Sequence, residues 1–562
     1  MRKLISNSLV HLFLFLAALL LATPAIAVDR GANPKPIWLV VTRPAFAQAV
    51  KPLEQKRAQD GFKTVVSTQT IAEAIAGLGR QPAFLLLVGD CQPGEENQPW
   101  YIPTQTRKLY RRRVFQREDF ASDVLWGDFD GDLVPDIPVG RIPVRTPQQL
   151  NLVVNKILDF ENRRPTPSDL SMPVWAGSSG YSPMLDSMAT LLLLGIVQKD
   201  ASPWVEPWII SADPMHPLCG WPPDQVKMFT GRFSNGGLFA VLMVHSSLRS
   251  FHSMDFNGTS IDYGDSDAKA GLAGGKPGPP MMIISCHTGR FVEQGNCLAE
   301  SLLLLPAGPV AVVAATTESH PLTNYFSGVA LLQQSRMSNK RLGSIWLAAQ
   351  KQASKARDII MERMLVDVEG KLEEKMNVAK LRRDQILMYA LLGDPATQLN
   401  FPDELHADVK YSAGAWRWNA RKPQGATRLY VSFRPPAQNL PQRTPQVDKD
   451  AARKLFEQAN DSFVFKPVAE LAPEAPWEGA ITEQGTLRLV ATAPEQIHAA
   501  AFELKPTDPT NPQNRTLQKR PHTIKRNGFS PHPVKLLQNT AQQRYYFWCF
   551  RVIYESAAAL TR

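Results

Sequence analysis

Short, unbroken apolar runs separated by helical segments constrain this chain most. IWLVVT from Ile37, FLLLVGD from Phe84, LFAVLMVH ending at His245, PMMIISC ending at Cys286 and GPVAVVAAT ending at Thr316 are of strand length. A strand with one wet face alternates apolar and polar residues, whereas a strand covered on both faces does not. Unbroken runs therefore predict the buried strands of a parallel sheet. The segments between them carry helical spacing. FAQAVKPLEQKRAQDG follows the first run. TPQQLNLVVNKILDFENRR opens on Thr146 as N-cap and Pro147 at the first helical position, and Leu150, Val153, Ile157 and Phe160 share one face. PVWAG and MLDSMATLLLLGIVQ repeat the alternation, and residues 340–392 read as one or two long helices. Residues 28–400 are expected to form an α/β domain, with subdomains at 28–105 and 106–400.

The character changes after Phe401. RLYVSF, TLRLVATA and RYYFWCFRVIY read as strands between Pro-rich, basic loops. Residues 401–562 are thus expected to be a mostly β appendage, in the manner of a sandwich.

The first 27 residues set the expected compartment. Arg2 and Lys3 precede the apolar run LVHLFLFLAALLLA, and Ala25-Ile26-Ala27 is a small-x-small cleavage site. That combination reads as a signal peptide spanning 1–27, so a secreted, periplasmic or cell-surface protein is expected, with no membrane-spanning segment once it is removed. The net charge is +10, and after Ala501 ten Lys or Arg stand against three acids. This basic tail is expected to be solvated, with contact to anionic surfaces open to it. No zinc-finger, P-loop or nucleic-acid signature is present, and no nucleic-acid partner is expected.

GDFDGDLVPDIPVGR places Asp128, Asp130, Asp132 and Asp136 at positions 1, 3, 5 and 9 of a single loop, a spacing suited to oxygen ligation of calcium. It occurs once, which excludes a propeller carrying one such loop per blade. Gly131 stands at position 4, where an EF-hand needs its glycine at 6. The expected role is a structural corner that holds at most a stabilising calcium. No cofactor is required for the chemistry.

That chemistry is expected at two strand ends. His245 closes one apolar strand and Cys286 another. Functional groups of open α/β sheets gather at the carboxyl ends of strands. If the two strands are parallel neighbours, imidazole and thiol face one crevice. The imidazole can then take the thiol proton, and the thiolate can attack a carbonyl. The backbone N–H groups of Cys286 and Ser246 are candidates for an oxyanion hole. His252 and His287 also allow a metal reading with Cys286, although no compact ligand spacing supports it. The five cysteines are an odd number, which leaves at least one without an intramolecular partner.

FLLLVGD with YIPT, SDVLWGDFDGDLVPDIPVGR, VVNKILDFE, IISCHTGRF, LAESLL, GPVAVVAATTES and YALLGDP resemble, in order, the blocks of the gingipain-type cysteine peptidases. The resemblance covers about residues 36–400. It implies a caspase-like three-layer α/β/α fold, with Cys286 as nucleophile and His245 as catalytic histidine. It also implies peptide or protein substrates, often cut after a basic residue. Asp186 lies about where some relatives seat that basic side chain, and a helix-surface role competes with this. Two departures stand out. The family's Gly-His-Gly is here Val244-His245-Ser246, which narrows the backbone freedom after the histidine. The family's Cys-Val-Asn-Gly is here Cys286-His287-Thr288-Gly289, so a second imidazole either adds to reactivity or sits in solvent. A secreted endopeptidase is the leading expectation. A non-catalytic exported binding or assembly module, or a cysteine transpeptidase, are the alternatives.

Overall fold

The computed structural model describes residues 34–110, 119–178, 183–243, 245–334, 340–357, 377–436 and 440–505, which fall in one compact unit. The signal peptide expected at 1–27, the strand expected at 544–554 and the basic tail from Pro506 lie outside the described residues.

The strands in chain order are β1 (Ile37–Thr42), β2 (Lys63–Ser67), β3 (Phe84–Val88), β4 (Thr106–Lys108), β5 (Asp119–Ala121), β6 (Val139–Ile142), β7 (Ser171–Ala176) and β8 (Glu206–Ser211). They continue as β9 (Ala240–Met243), β10 (His245–Ser246), β11 (Ser250–Phe256), β12 (Thr259–Gly264), β13 (Met281–Ile284), β14 (Val312–Ala315) and β15 (Tyr389–Leu392). A ten-stranded sheet runs β2-β1-β3-β6-β15-β14-β13-β9-β7-β8. Every pairing is parallel except β14 with β15. The helices are α1 (Ala47–Gln59), α2 (Ile71–Ala76), α3 (Pro147–Asn162), α4 (Pro183–Asp200), α5 (Gln225–Ser234), α6 (Asp265–Gly271), α7 (Leu298–Leu303), α8 (Pro321–Gln334), α9 (Leu342–Ala353) and α10 (Val378–Met388).

The layering follows from strand alternation. Trp38 and Val40 of β1 enter the large core with Val50 and Leu53 of α1. Ile37, Leu39 and Val41 enter a second core with Ile71 and Ala74 of α2. Both faces are buried, which is why the run reads as unbroken. Thr146 caps α3 in a full capping box with Gln149, as its sequence suggested.

The helical reading of 340–392 needs correction at its end. Tyr389–Leu392 is a strand, antiparallel to β14. Its four residues are all buried, so it occupies the sheet interior where no helix fits. Asp394, just beyond, is pinned to the first strand and helix. Trp38 Nε1 donates to Asp394 Oδ1 at 3.0 Å, and the fully buried Arg57 donates Nε to Asp394 Oδ2 at 2.8 Å and a fork to Glu161. Buried charges are tolerated only with such complete pairing.

Beyond Phe401, strands β16 (Asp403–Glu404), β17 (Ala407–Ser412), β18 (Ala415–Ala420), β19 (Arg428–Arg434), β20 (Lys466–Leu471), β21 (Glu478–Ile481), β22 (Gly485–Thr492) and β23 (Ile497–Leu504) make a five-stranded and a three-stranded sheet. The cores of the two sheets meet through Trp416, Trp418, Leu429 and Leu487. A helix absent from the sequence reading, α11 (Lys449–Asp461), lies among these strands. Its signals were Asp448, whose side chain caps Ala451 N–H, and the spacing of Ala452, Phe456 and Ala459. Asn460 of α11 accepts from Ile209 N–H at 2.8 Å and donates to Ile209 C=O at 3.0 Å, on the edge strand β8.

Candidate active site

β9 and β13 are parallel neighbours, with Met243 opposite Ile284. The chain therefore delivers His245 and Cys286 to one edge of the sheet. One detail differs from the sequence reading. His245 does not close the core strand, because β9 ends at Met243 and His245 opens β10, in a separate sheet ordered β10-β11-β12. The His245 N–H donates to Ser178 O beyond β7 at 3.2 Å, which draws the chain away from the β13 ladder.

The Cys286 turn is stitched to the exit of β14. His287 N–H donates to Thr317 O at 3.0 Å and Gly289 N–H to Ala315 O at 2.9 Å. His287 takes a left-handed φ of 56°. A Cβ on Gly289 would stand 2.6 Å from the Ala314 carbonyl oxygen, so only glycine permits this approach. The turn seats the half-buried Cys286 thiol beside Ser319, whose N–H donates to Sγ at 3.4 Å and whose Oγ lies at 3.6 Å. Among the described residues no hydrogen bond joins Cys286 to His245, which is exposed. The Cys286 amide N–H likewise has no acceptor among them. Burial pushes the thiol above its ordinary value, the two Ser319 hydrogen bonds pull it back, and the charge of Glu318 raises it further.

His287 is buried, not solvated. Burial, then the charges of Arg290 and His245, push it down to about 4, so it is neutral near pH 7. His252 is held by Asp262 Oδ1 at 2.9 Å and Ser260 Oγ at 2.8 Å. The metal reading of Cys286, His252 and His287 finds no converging ligand atoms among the described residues. Converging ligand atoms are found instead in the aspartate loop, where those of Asp128, Asp130 and Asp136 lie within 4.8 Å of one another. Asp132 stands outside that group, and its Oδ1 accepts from Val134 N–H. Asp128 accepts from Gly131 and Leu133 N–H, and Asp136 from Phe129 N–H. A carboxylate oxygen has two lone pairs, so these bonds leave acceptor capacity for a cation.

Asp186 lies in the first turn of α4, half-buried, and its Oδ2 accepts from Ser178 Oγ at 3.0 Å. Ser178 thus touches both His245 and Asp186, and the carboxylate belongs to the same strand-end crevice. Ser246, the residue after the histidine, donates its hydroxyl to the Cys286 carbonyl at 2.6 Å. Ser319, Asn324 and Tyr389 were missed in the sequence. The signal for Ser319 and Asn324 was the polar run after β14, next in the sheet to the Cys-bearing strand, whereas Tyr389 of β15 had no local signal. The described cysteines Cys91, Cys219 and Cys297 are buried and unpaired, which leaves Cys286 as the accessible thiol among the described residues.

A thiol just past β13 and an imidazole just past its parallel neighbour β9, over a mostly parallel sheet with a β appendage, are the arrangement of a candidate cysteine-peptidase site. The chain belongs to peptidase family C25, whose model matches residues 32–400. Its fold is similar to a solved protease structure at a TM-score of 0.50 and 16% identity, covering 84% of this chain and 98% of that one. The Arg-specific cysteine proteinase gingipain R (RgpB) matches at 0.46 and 15%, covering 85% and 99%. A complex of the Porphyromonas gingivalis RgpB pro- and mature domains matches at 0.45 and 13%, covering 84% and 100%. No curated protein sequence matches the chain. No helix among the described residues is long and apolar enough to cross a membrane.

Proposed function

We propose that the protein is an exported cysteine endopeptidase. The observation that carries this reading is the accessible Cys286 thiol one strand from His245, in a chain of peptidase family C25. His245 takes the thiol proton as sulfur attacks the scissile carbonyl, then gives it to the leaving amine. The resulting thioester is hydrolysed by water with His245 as base. The N–H groups of Cys286 and Ser246 receive the oxyanion. His245 is exposed, so its ring can turn toward sulfur when substrate fills the crevice. Asp186 favours Arg or Lys at the cleaved bond through a charge-assisted contact. The aspartate loop holds a stabilising calcium with no part in the chemistry, and the tail contacts anionic surfaces. The segment 1–27 directs export.

A peptidyl electrophile directed at thiols tests this. The expected result is an adduct on Cys286 that is lost in a folded His245→Ala variant. Absence of an adduct on the folded wild type would overturn the peptidase reading. It would instead favour an exported binding module, for which the serine after His245 and the unlinked His245 and Cys286 side chains speak. A joined product in the presence of a competing amine would identify a transpeptidase.

A further inference from the structure

Among the described residues the hydrogen bonds of the Cys286 sulfur all go to Ser319, through three of its atoms. The neutral thiol donates to Ser319 O at 3.6 Å, and the sulfur is approached by Ser319 N–H at 3.4 Å and Oγ at 3.6 Å. Ser319 is buried and does not stand alone. Asn324 of α8 donates Nδ2 to Ser319 Oγ at 2.8 Å. Asn324 Oδ1 accepts from Tyr389 Oη–H of β15 at 2.8 Å and from Gln385 Nε2 of α10 at 2.9 Å. Gln385 Oε1 in turn accepts from Thr323 Oγ1 at 2.8 Å.

At its far end the Thr323 hydroxyl reaches both Gln385 Oε1 at 2.8 Å and the His320 carbonyl at 3.0 Å. Gln385 and Tyr389 both donate to Asn324, which fixes Asn324 with its Nδ2 toward Ser319. That N–H occupies one lone pair of Ser319 Oγ, which leaves the Ser319 proton free to turn to sulfur once the thiol is ionised. Asn324 Nδ2 faces Ser319 Oγ, and Ser319 N–H and Oγ face the Cys286 sulfur, while Gln385 Nε2 also donates to Ser327 Oγ at 3.1 Å and Tyr389 Oη lies 3.4 Å from Ser285 O. A neutral thiol gains little from this, whereas a thiolate gains two donors, polarised from behind.

We propose that Ser319, oriented by Asn324, is the positioning residue of the nucleophile: it aims the Cys286 sulfur and holds its ionised form through N–H and O–H donation. This rests on the reading of Cys286 as nucleophile. The other polar and titratable groups facing the sulfur do not supply that role. Glu318 on the same loop opposes the anion. Tyr389 is pushed well up by burial and stays neutral. His287 is neutral near pH 7. His245 on β10 makes no hydrogen bond to it among the described residues.

The test is the pH dependence of Cys286 alkylation by iodoacetamide on the full-length protein, with the modified site read by mass spectrometry. Ser319→Ala should move the midpoint up by about one unit, a roughly tenfold slower reaction at pH 7 with an unchanged plateau at high pH. Ser319→Thr, which keeps the hydroxyl, should restore the wild-type midpoint. Asn324→Asp, whose carboxylate would take the serine proton away from sulfur, should raise it as Ser319→Ala does. An unchanged midpoint in Ser319→Ala overturns the positioning role while leaving the nucleophile intact. Peptide cleavage that survives Cys286→Ser would instead remove the reading of Cys286 as nucleophile, on which the proposal rests. A shifted midpoint with an altered plateau would show lost access to the thiol and would also count against the proposal.

Discussion

The hydroxyl of Ser246 donates to the carbonyl oxygen of Cys286 at 2.6 Å, tying the residue after the histidine to the proposed nucleophile. Relatives are expected to carry glycine there. The serine is therefore more than a loss of backbone freedom, because it closes a bond between two strand ends that a glycine leaves open. Ser246→Ala should cost about 1 kcal/mol of stability, the usual net worth of one intramolecular hydrogen bond. It should also slow labelling of Cys286 by a peptidyl electrophile several-fold. A thermal melt and a labelling time course check both. Unchanged labelling with lowered stability would make the bond purely structural.

Asp186 shares Ser178 with His245. If it seats a basic side chain, an unbiased peptide library should be cut after Arg or Lys. Asp186→Asn should then raise KM for such peptides by about tenfold or more, the loss of one charged partner, with kcat for other residues little changed. A preference for an apolar residue in the wild type would remove the role.

Glu300 begins a pH argument. Buried in α7, it accepts from Cys297 N–H at 2.8 Å, and burial followed by the nearby charge of Asp90 raises it to about 8. Between the ordinary carboxylate value and about 8, the folded chain holds a proton that the unfolded chain has lost. Stability from this group is full below about 4.5 and falls as pH rises through 8. Glu300→Gln keeps the helix cap without the titration. Denaturant midpoints for the variant should therefore decline less between pH 5 and 8 than those of the wild type, as urea melts at stepped pH would show.

The aspartate loop is predicted to bind calcium through Asp128, Asp130 and Asp136. Calcium should raise Tm, and EDTA should return it to the metal-free value, because a ligand bound only by the native state adds stability. Asp136→Asn should abolish the difference. Equal melting curves with calcium and EDTA would leave the loop held by its own backbone hydrogen bonds.

How far the sequence could be read depended on where each signal is stored. The strands around Trp38, Leu86 and Ile283 were legible because burial on both faces writes an unbroken apolar run. The placement of Cys286 at a strand end followed from the same run. The break between Met243 and His245 was not legible, since an apolar run does not show that the ladder is abandoned for Ser178. Tyr389–Leu392 reads as well for a helix as for a strand, and its antiparallel place beside β14 is a tertiary fact. Ser319, Asn324, Gln385 and Tyr389 are spread along the chain, and their hydrogen-bond network exists only once α8, α10 and β15 meet. Helix α11 was hidden by the proline-rich stretch before Asp448.

The amide of Asn460 pairs with Ile209 as a neighbouring strand would, offering an acceptor and a donor to the open side of β8. It does so from the appendage, so the β region acts as a guard over the last strand of the large sheet. A fragment trimmed near residue 400 would present that strand's unpaired groups to other copies of itself, the usual starting point for edge-to-edge association. The natural measure of the appendage is thus the colloidal behaviour of the trimmed protein: whether it stays dispersed, and whether Asn460→Ala in the intact chain takes a first step toward the same self-association.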